Sequence, residues 1–327
     1  MAFRLKLVPE GTTIDFFGRA HIGFYVSAVA MVLALLATLL LGLNFGIDFR
    51  GGTTIRTQSP DAVQTGAYRG ALNTLDLGEV TVTEVFDPTF GPDENVAQIR
   101  VQAQGEAQSI TADTMERIKA ALAAVDPEIT IQSVESVGPK VSGELVRGAV
   151  VAVAIATAAI MVFIWLRFEW QFALGAVAAL VHDLLLTLGL FAVLQIRFDL
   201  SIIAALLTIL GYSINDTVVI FDRVRENLRR YKKMSLLALM NLSINETLAR
   251  TVMTSLTTLL ALVTMLILGG DVIRGFIFAM TWGVIVGTYS SVFVAGEVLR
   301  RLGVKRDWSR EADAAKAAGT QFTPSDG

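Results

Sequence analysis

The chain has no cysteine, which excludes disulfides and thiolate metal sites and leaves its redox compartment open. Charge is scarce as well: Asp, Glu, Lys and Arg make up 17% of the 327 residues, while 53% are hydrophobic. That balance is too apolar for a soluble domain of this length, so a membrane must be the solvent for much of the chain. The net charge of -3 argues against a nucleic-acid partner. No nucleophile–base pair and no metal-ligating cluster stands out, which argues against an enzyme, and nothing calls for a cofactor.

What the sequence has in quantity is long apolar runs. Six are long enough, at about 18 residues or more, to cross roughly 30 Å of hydrocarbon. They cover residues 22–43, 148–166, 172–196, 200–221, 251–268 and 275–296. The first is longer than the apolar part of a cleaved signal peptide, about 7–15 residues, and fits a signal-anchor helix. Gly283 and Gly287 in the sixth form a GxxxG pair of the kind that lets membrane helices approach closely.

Lys and Arg collect at cytoplasmic span ends, and here they agree with one another. Arg4, Lys6 and Arg19 place residues 1–21 inside; Arg223, Arg225, Arg229, Arg230, Lys232 and Lys233 do the same for a basic loop at 222–250. Arg300, Arg301, Lys305 and Arg306 add the tail at 297–327. Both termini are therefore expected in the cytoplasm, with residues 44–147 outside, in the periplasm if the membrane is an inner one. The basic run from Arg223 to Lys233 is a topology anchor first and a surface for lipids or a partner second.

The outer segment has the pattern of a small α+β unit. A strand near Thr53–Thr57 and a helix near Ala62–Leu75 are followed by strands at Glu79–Phe86 and Val96–Gln102, with a turn-rich stretch between them. A helix from about Thr111, with Met115, Ile118, Leu122 and Val125 inward, and a strand at Ile129–Val134 complete the set. The order β-α-β-β-α-β is the ferredoxin-like, split βαβ pattern. The expected fold is thus an all-α bundle of six transmembrane helices, with a ferredoxin-like periplasmic domain inserted between the first and second. A binding or docking role suits that domain, with a passive spacer as the alternative.

Ionisable residues inside the spans are the functional signal. A carboxylate in hydrocarbon costs about 2.5–3.5 kcal/mol on insertion scales, so its presence needs a reason. Asp216 lies in Ser213-Ile-Asn-Asp-Thr217, near the cytoplasmic end of the fourth span, and Ser213, Asp216 and Thr217 share a helical face while Asn215 adds polarity. Arg250 begins the fifth span at similar depth, ahead of a stripe of Thr254, Thr257 and Thr258; Thr281 and Thr288 mark the sixth. A polar seam between spans four, five and six follows. Burial favours the protonated acid and a nearby guanidinium the carboxylate, so a small movement of Arg250 would switch Asp216 between holding and releasing a proton. Two readings stay open: a proton relay, or a structural carboxylate with Arg250 snorkelling to the interface. Asp183, beside His182 in the third span, is equally a relay or a static hydrogen-bonding residue. Arg197 and Asp199, and Asp271 and Arg274, look like solvated charges at loop ends.

Several stretches resemble one family. Gly46-Ile-Asp-Phe-Arg-Gly-Gly52 after the first span resembles the signature of the SecD/SecF export subunits, within the resistance-nodulation-division superfamily. Val137-Gly-Pro-Lys-Val-Ser-Gly-Glu144, Arg167-Phe-Glu-Trp170, Gly211-Tyr-Ser-Ile-Asn-Asp-Thr217, Phe221-Asp-Arg-Val-Arg-Glu226 and Ser243-Ile-Asn-Glu-Thr247 match it in order along the chain. The small outer segment and the Asn-Asp-Thr run point to the SecF branch. The resemblance implies a SecD partner that supplies six further helices, association with the SecYEG channel and YajC, and proton-powered pulling on preproteins fed in by SecA. It also implies that Asp216 and Arg250 occupy the positions tied to proton transport. Asp48 and Arg50, with Gly46, Gly51 and Gly52, fall in the signature, where a structural strand-to-helix junction is the favoured reading. A non-transducing scaffold subunit, or an exporter of drugs or lipids, is the alternative.

Overall fold

A computed structural model describes residues 9, 11–18, 20–102 and 110–304. Helix α1, Ala20–Leu41, leads into a two-residue strand β1, Asn44–Phe45, a single turn α2, Ile47–Arg50, and strand β2, Gly52–Ser59. The small domain continues with α3, Thr65–Asn73, β3, Val80–Val85, β4, Asn95–Gln102, α4, Ala112–Ala123, and β5, Thr130–Val137. Then come the long helices α5, Pro139–Arg167, and α6, Trp170–Leu194, the short strand β6, Arg197–Phe198, and helices α7, Leu200–Arg230, and α8, Leu236–Leu268. The last long element is composite: α9, Asp271–Ser290, a π-helical turn, Ser291–Ala295, and α10, Gly296–Leu302. Among the described residues six helices are long and apolar enough to cross a membrane, and the protein is a multi-pass membrane protein.

The helices outrun the apolar stretches because caps, not hydropathy, decide where a helix stops. Pro139 sits at the first turn of α5, where its missing N–H costs nothing. Ser235 caps α8, its hydroxyl accepting from Ala238 N at 3.2 Å. The segment expected as a basic loop at 222–250 is therefore a helical hairpin whose turn is confined to residues 231–235. Polar bonds across the hairpin hold it: Asn227 Nδ2 donates to Ser243 Oγ at 3.0 Å and to Glu246 at 2.7 Å, and Arg223 pairs with Glu246 at 2.6 Å, while its pair with Glu226, also at 2.6 Å, runs along α7. Arg4, Lys6, Arg19, Lys305 and Arg306, which entered the topology argument, lie outside the described residues.

In the small domain all strand pairs are antiparallel, in the order β3-β4-β2-β5. One face of the sheet is apolar because its strands alternate, and it packs on α3 and α4 through Ile55, Ile99, Tyr68, Leu72, Ile118 and Leu122. Thr111 caps α4, accepting from Thr114 N at 3.2 Å. Tyr68 donates to Asp126 Oδ2 at 2.6 Å inside this core. Burial alone would push the Asp126 carboxyl up, but hydrogen bonds from Ser59, Tyr68 and the Glu128 N–H outweigh it and hold it below the ordinary range. A carboxyl lowered in the fold stabilises above its unfolded value and loses that contribution as pH falls through the folded one. Tyr68→Phe should therefore cost about 1–3 kcal/mol. In the full-length protein this is expected as faster amide hydrogen exchange in β2 and β4 near neutral pH, with the difference from the parent shrinking below pH ~4.

The junction between domain and bundle is built from the Gly46–Gly52 stretch. Strands β1 and β6 pair in parallel, Asn44 with Arg197 and Phe45 with Phe198. Gly51 has φ +77°, and a Cβ there would meet Val137 O at 3.3 Å and Pro139 at 3.4 Å, so glycine alone lets β2 leave beside the start of α5. Asp48 Oδ2 accepts from Leu200 N at 3.0 Å, tying the turn to the first residue of α7.

Candidate functional site: a polar seam within the bundle

On α7 the 100° step per residue sends Ser213, Asp216 and Thr217 inward and Asn215 outward, and the structure follows it. The first three are buried, Asp216 to 4% exposure, and Asn215 is exposed on the opposite face. Asn215 is therefore not among the residues that the seam brings together. Its outward direction is a matter of helical phase, not of polarity.

The centre of the seam is Asp183. Its Oδ2 accepts from Ser213 Oγ at 2.6 Å and from Ser290 Oγ at 2.9 Å, and its Oδ1 is hydrogen-bonded to His182 Nδ1 at 2.9 Å. All four side chains are essentially inaccessible. Three helices, α6, α7 and α9, thus meet on one carboxyl group. Next to it Thr217 Oγ1 and Ser291 Oγ share a bond of 2.8 Å, and Ser291 also donates to Gly287 O at 2.8 Å. The seam is wider than the expected set of spans four, five and six, since the third contributes its hub.

Asp216 has a different environment. Among the described residues its Oδ2 has no hydrogen-bond partner although it is buried. Arg250, exposed on α8, acts on it electrostatically, yet no ion pair within 4.0 Å joins them among the described residues. The two acids thus differ in kind: Asp183 is held on both oxygens, whereas among the described residues no donor meets Oδ2 of Asp216.

Glycines let the helices close on these groups. At Gly283 a Cβ would collide with Ile209, and at Gly287 it would lie 3.0 Å from Ser213 Cβ. Gly287→Val should push α9 off α7, breaking the Ser290 bond to Asp183 one turn below, and cost about 1–3 kcal/mol as overpacking. A lower thermal midpoint in detergent is the expected reading. Gly211, with nothing near its Cβ position, should tolerate alanine without such a loss.

Ser290 and Ser291 are functional candidates that the sequence reading passed over. The available signal was their position three and four residues after Gly287, on the face that the GxxxG pair presents. Directly after Ser290, Ser291 also begins the π-helical turn, a local widening that recurs at functional sites. The threonine stripe on α8 is only partly in the seam. Thr257 is exposed and bonds back to Met253 O, while Thr258 receives Tyr212 Oη at 3.3 Å and the α8–α9 contact is Ser255 with Thr288 at 2.7 Å. Threonine hydroxyls readily satisfy themselves on the preceding turn, so a stripe need not mark a path.

The charges expected to be solvated loop ends are structural. Asp199 caps α7, accepting from Ser201 N at 3.1 Å, and pairs with Arg197 at 3.2 Å, which itself donates to Gln98 Oε1 at 3.0 Å. Asp271 and Arg274 bind the end of β3. The Asp199 cap and its pair with Arg197 are local, as an Asp before a helix signals, whereas Gln98 and Phe86 come from the small domain, and no local pattern announces them. Of the signature residues, Gly46, Gly51 and Gly52 shape the junction, Asp48 is bonded, and Arg50 is exposed.

Comparison with known proteins places this architecture. Residues 117–305 match the family described as protein export membrane protein SecD/SecF, C-terminal, and residues 37–59 match the SecD/SecF GG motif. The protein translocase subunit SecF of Cereibacter sphaeroides is 61% identical over 322 residues, covering 98% of both chains, and that of Rhodobacter capsulatus is 58% identical, covering 97% of both. Among solved structures, SecDF of Thermus thermophilus, described as a translocon-associated membrane protein, superposes with a TM-score of 0.78 at 33% identity over 89% of this chain. A SecDF in a super-membrane-facing form gives 0.64 at 34% identity over 94%. The chain spans only 39% and 40% of those two SecDF chains. A family model over more than half of the residues, with relatives matched along nearly their whole length, establishes that the chain belongs to the SecD/SecF family of protein export membrane proteins, in its SecF branch.

Proposed function

We propose that this chain is the SecF half of a proton-driven export motor in the cell inner membrane, with Asp216 as the group that takes up and releases the proton. The observation that carries the reading is the buried Asp216 carboxyl with an oxygen unmet by any described donor, beside an arginine that acts on it without contact. Such a group changes protonation without dismantling a network. Moving one charge through the membrane potential is worth about 2.3 kcal/mol per 100 mV, enough to shift a balance between two conformations. Arg250 sets the charge preference of Asp216; Thr217, Ser213 and Asp183 form the adjoining hydrogen-bonded wall.

The partner in this reading is SecD, and together the two subunits draw preproteins delivered by SecA through SecYEG, with YajC in attendance. The outward face of α7 supports such a neighbour. Ala204, Thr208, Gly211 and Asn215 form an exposed stripe of small and polar residues along an apolar helix, the composition by which membrane helices pack on one another. Both termini are cytoplasmic and the small domain is periplasmic, as the flanking arginines favour. The strand order β3-β4-β2-β5 supports a ferredoxin-like assignment, and docking to the emerging chain or to SecD suits the domain. The test is Asp216→Asn in membrane vesicles, comparing translocation with and without an imposed proton gradient.

A further inference from the structure

The helix that brings Ser290 and Ser291 to the seam has its other end in the small domain. Asp271, its first residue, clasps the end of β3 from two sides: its N–H donates to Phe86 O at 2.9 Å, and its Oδ2 accepts from Phe86 N at 2.7 Å. Arg274 pairs with the same carboxylate and stands 6.0 Å from the centre of the Phe86 ring. Gly270 lies so close beneath Asp87 that a Cβ would collide with its carboxylate.

Elsewhere the domain stands off the bundle. A cavity of about 290 Å³, lined by Arg56, Arg100, Glu135, Asp199 and Asp271 among others, separates the open face of the sheet from the helix ends. Arg100 in this gap has its pKa pushed down to about 10, by burial first and then by the nearby Arg197, with Asp199 offsetting part of the effect. Among the described residues the contacts across the gap include the glycine junction, the Arg197–Gln98 bond at 3.0 Å and the Asp271 clasp with Arg274 beside it.

We infer that α9 is the rod that carries movement from the polar seam to the small domain, with Asp271 as the positioning residue at its coupling end. The helix is unbroken over 20 residues, a stiff element of about 30 Å. At its inner end it touches Asp183 through Ser290, and Ser291, the next residue, meets Thr217 beside Asp216, so rearrangement around either acid displaces it. Its packing on α7 through Gly283 and Gly287 is side-chain-free on one side, which suits sliding or rotation. The π-helical turn that follows takes up the change in register. Packed elements of this kind shift between discrete positions, which makes transmission over such a distance effective.

The inference rests on the proton-relay reading, and the experiment separates the two. Because the chain has no cysteine, a spin-label pair can be placed by Glu84→Cys in β3 and Leu268→Cys at the end of α8, in the full-length chain reconstituted with its co-purifying partners. The distance between the labels is expected to change when a proton gradient is imposed. Asp271→Ala should abolish that change while proton flux persists at the parental rate, flux being the sign that the bundle is intact. Phe86→Pro, which removes the donor from the other side of the clasp, should do the same, and Asp271→Asn, which keeps an acceptor for Phe86 N, should restore most of the change. A distance change retained in both Asp271→Ala and Phe86→Pro overturns the coupling role alone. A parent with no gradient-dependent change, or an Asp216→Asn variant that keeps it, overturns the relay reading and the coupling with it.

Discussion

Replacing Asp216 by Asn is expected to remove the gradient-dependent part of protein translocation while leaving the bundle as stable as the parent or more so. The two side chains have the same shape, and the buried Oδ2 donates or accepts no bond that the change would break among the described residues. A neutral amide is also easier to bury than a carboxylate, whose insertion costs about 2.5–3.5 kcal/mol at a helix centre. Stability and function therefore separate at this position. Translocation should fall to the level measured without a gradient, and the thermal midpoint in detergent should hold or rise. Gradient-stimulated translocation at the parental rate in the Asn variant would leave only a scaffold role for this helix.

The second large effect falls on folding. Asp183→Ala leaves Ser213, Ser290 and His182 without the acceptor on which three helices converge, at positions that water does not reach. Interhelical hydrogen bonds in membranes average about 0.6 kcal/mol each, and leaving a buried polar group unsatisfied costs about 1–3 kcal/mol, so with three groups stranded a loss of about 2–5 kcal/mol is expected. Thermal unfolding in detergent should shift downward by an amount that Asp216→Asn never shows. Asp183→Asn, which retains an acceptor oxygen, should recover a large part of the difference. An unshifted melting curve for Asp183→Ala would show that the hub is not structural. The contrast matters because both residues are acids inside apolar helices, and insertion cost alone cannot tell a hub from a switch.

The six helices were legible because a run of apolar residues longer than the bilayer needs no partner to be recognised. The α/β order of the outer segment was legible for a similar reason: Val80, Val82 and Val85 in β3 and Ile118 and Leu122 in α4 carry their own period. Helical phase likewise placed Ser213, Asp216 and Thr217 on one face. The same phase argument, applied to Asn215, would have turned it away, and only its polarity kept it in the expected site. The hairpin at 222–250 was hidden because charged residues continue a helix as readily as they form a loop when a capping serine and cross-helix partners are present.

From composition and periodicity alone follow a membrane solvent, six crossings, a small α/β insertion and a buried acid near an arginine, because each of these is a property of one segment read along its own length. Which acid is tied and which is free was settled only in three dimensions: Asp183 meets Ser213 and Ser290 across separations of 30 and 107 residues, and Asp271 meets Phe86 across 185. Hydrogen bonds depend on distance in space, and the folding of α6, α7 and α9 against one another brings those distances down to bonding range.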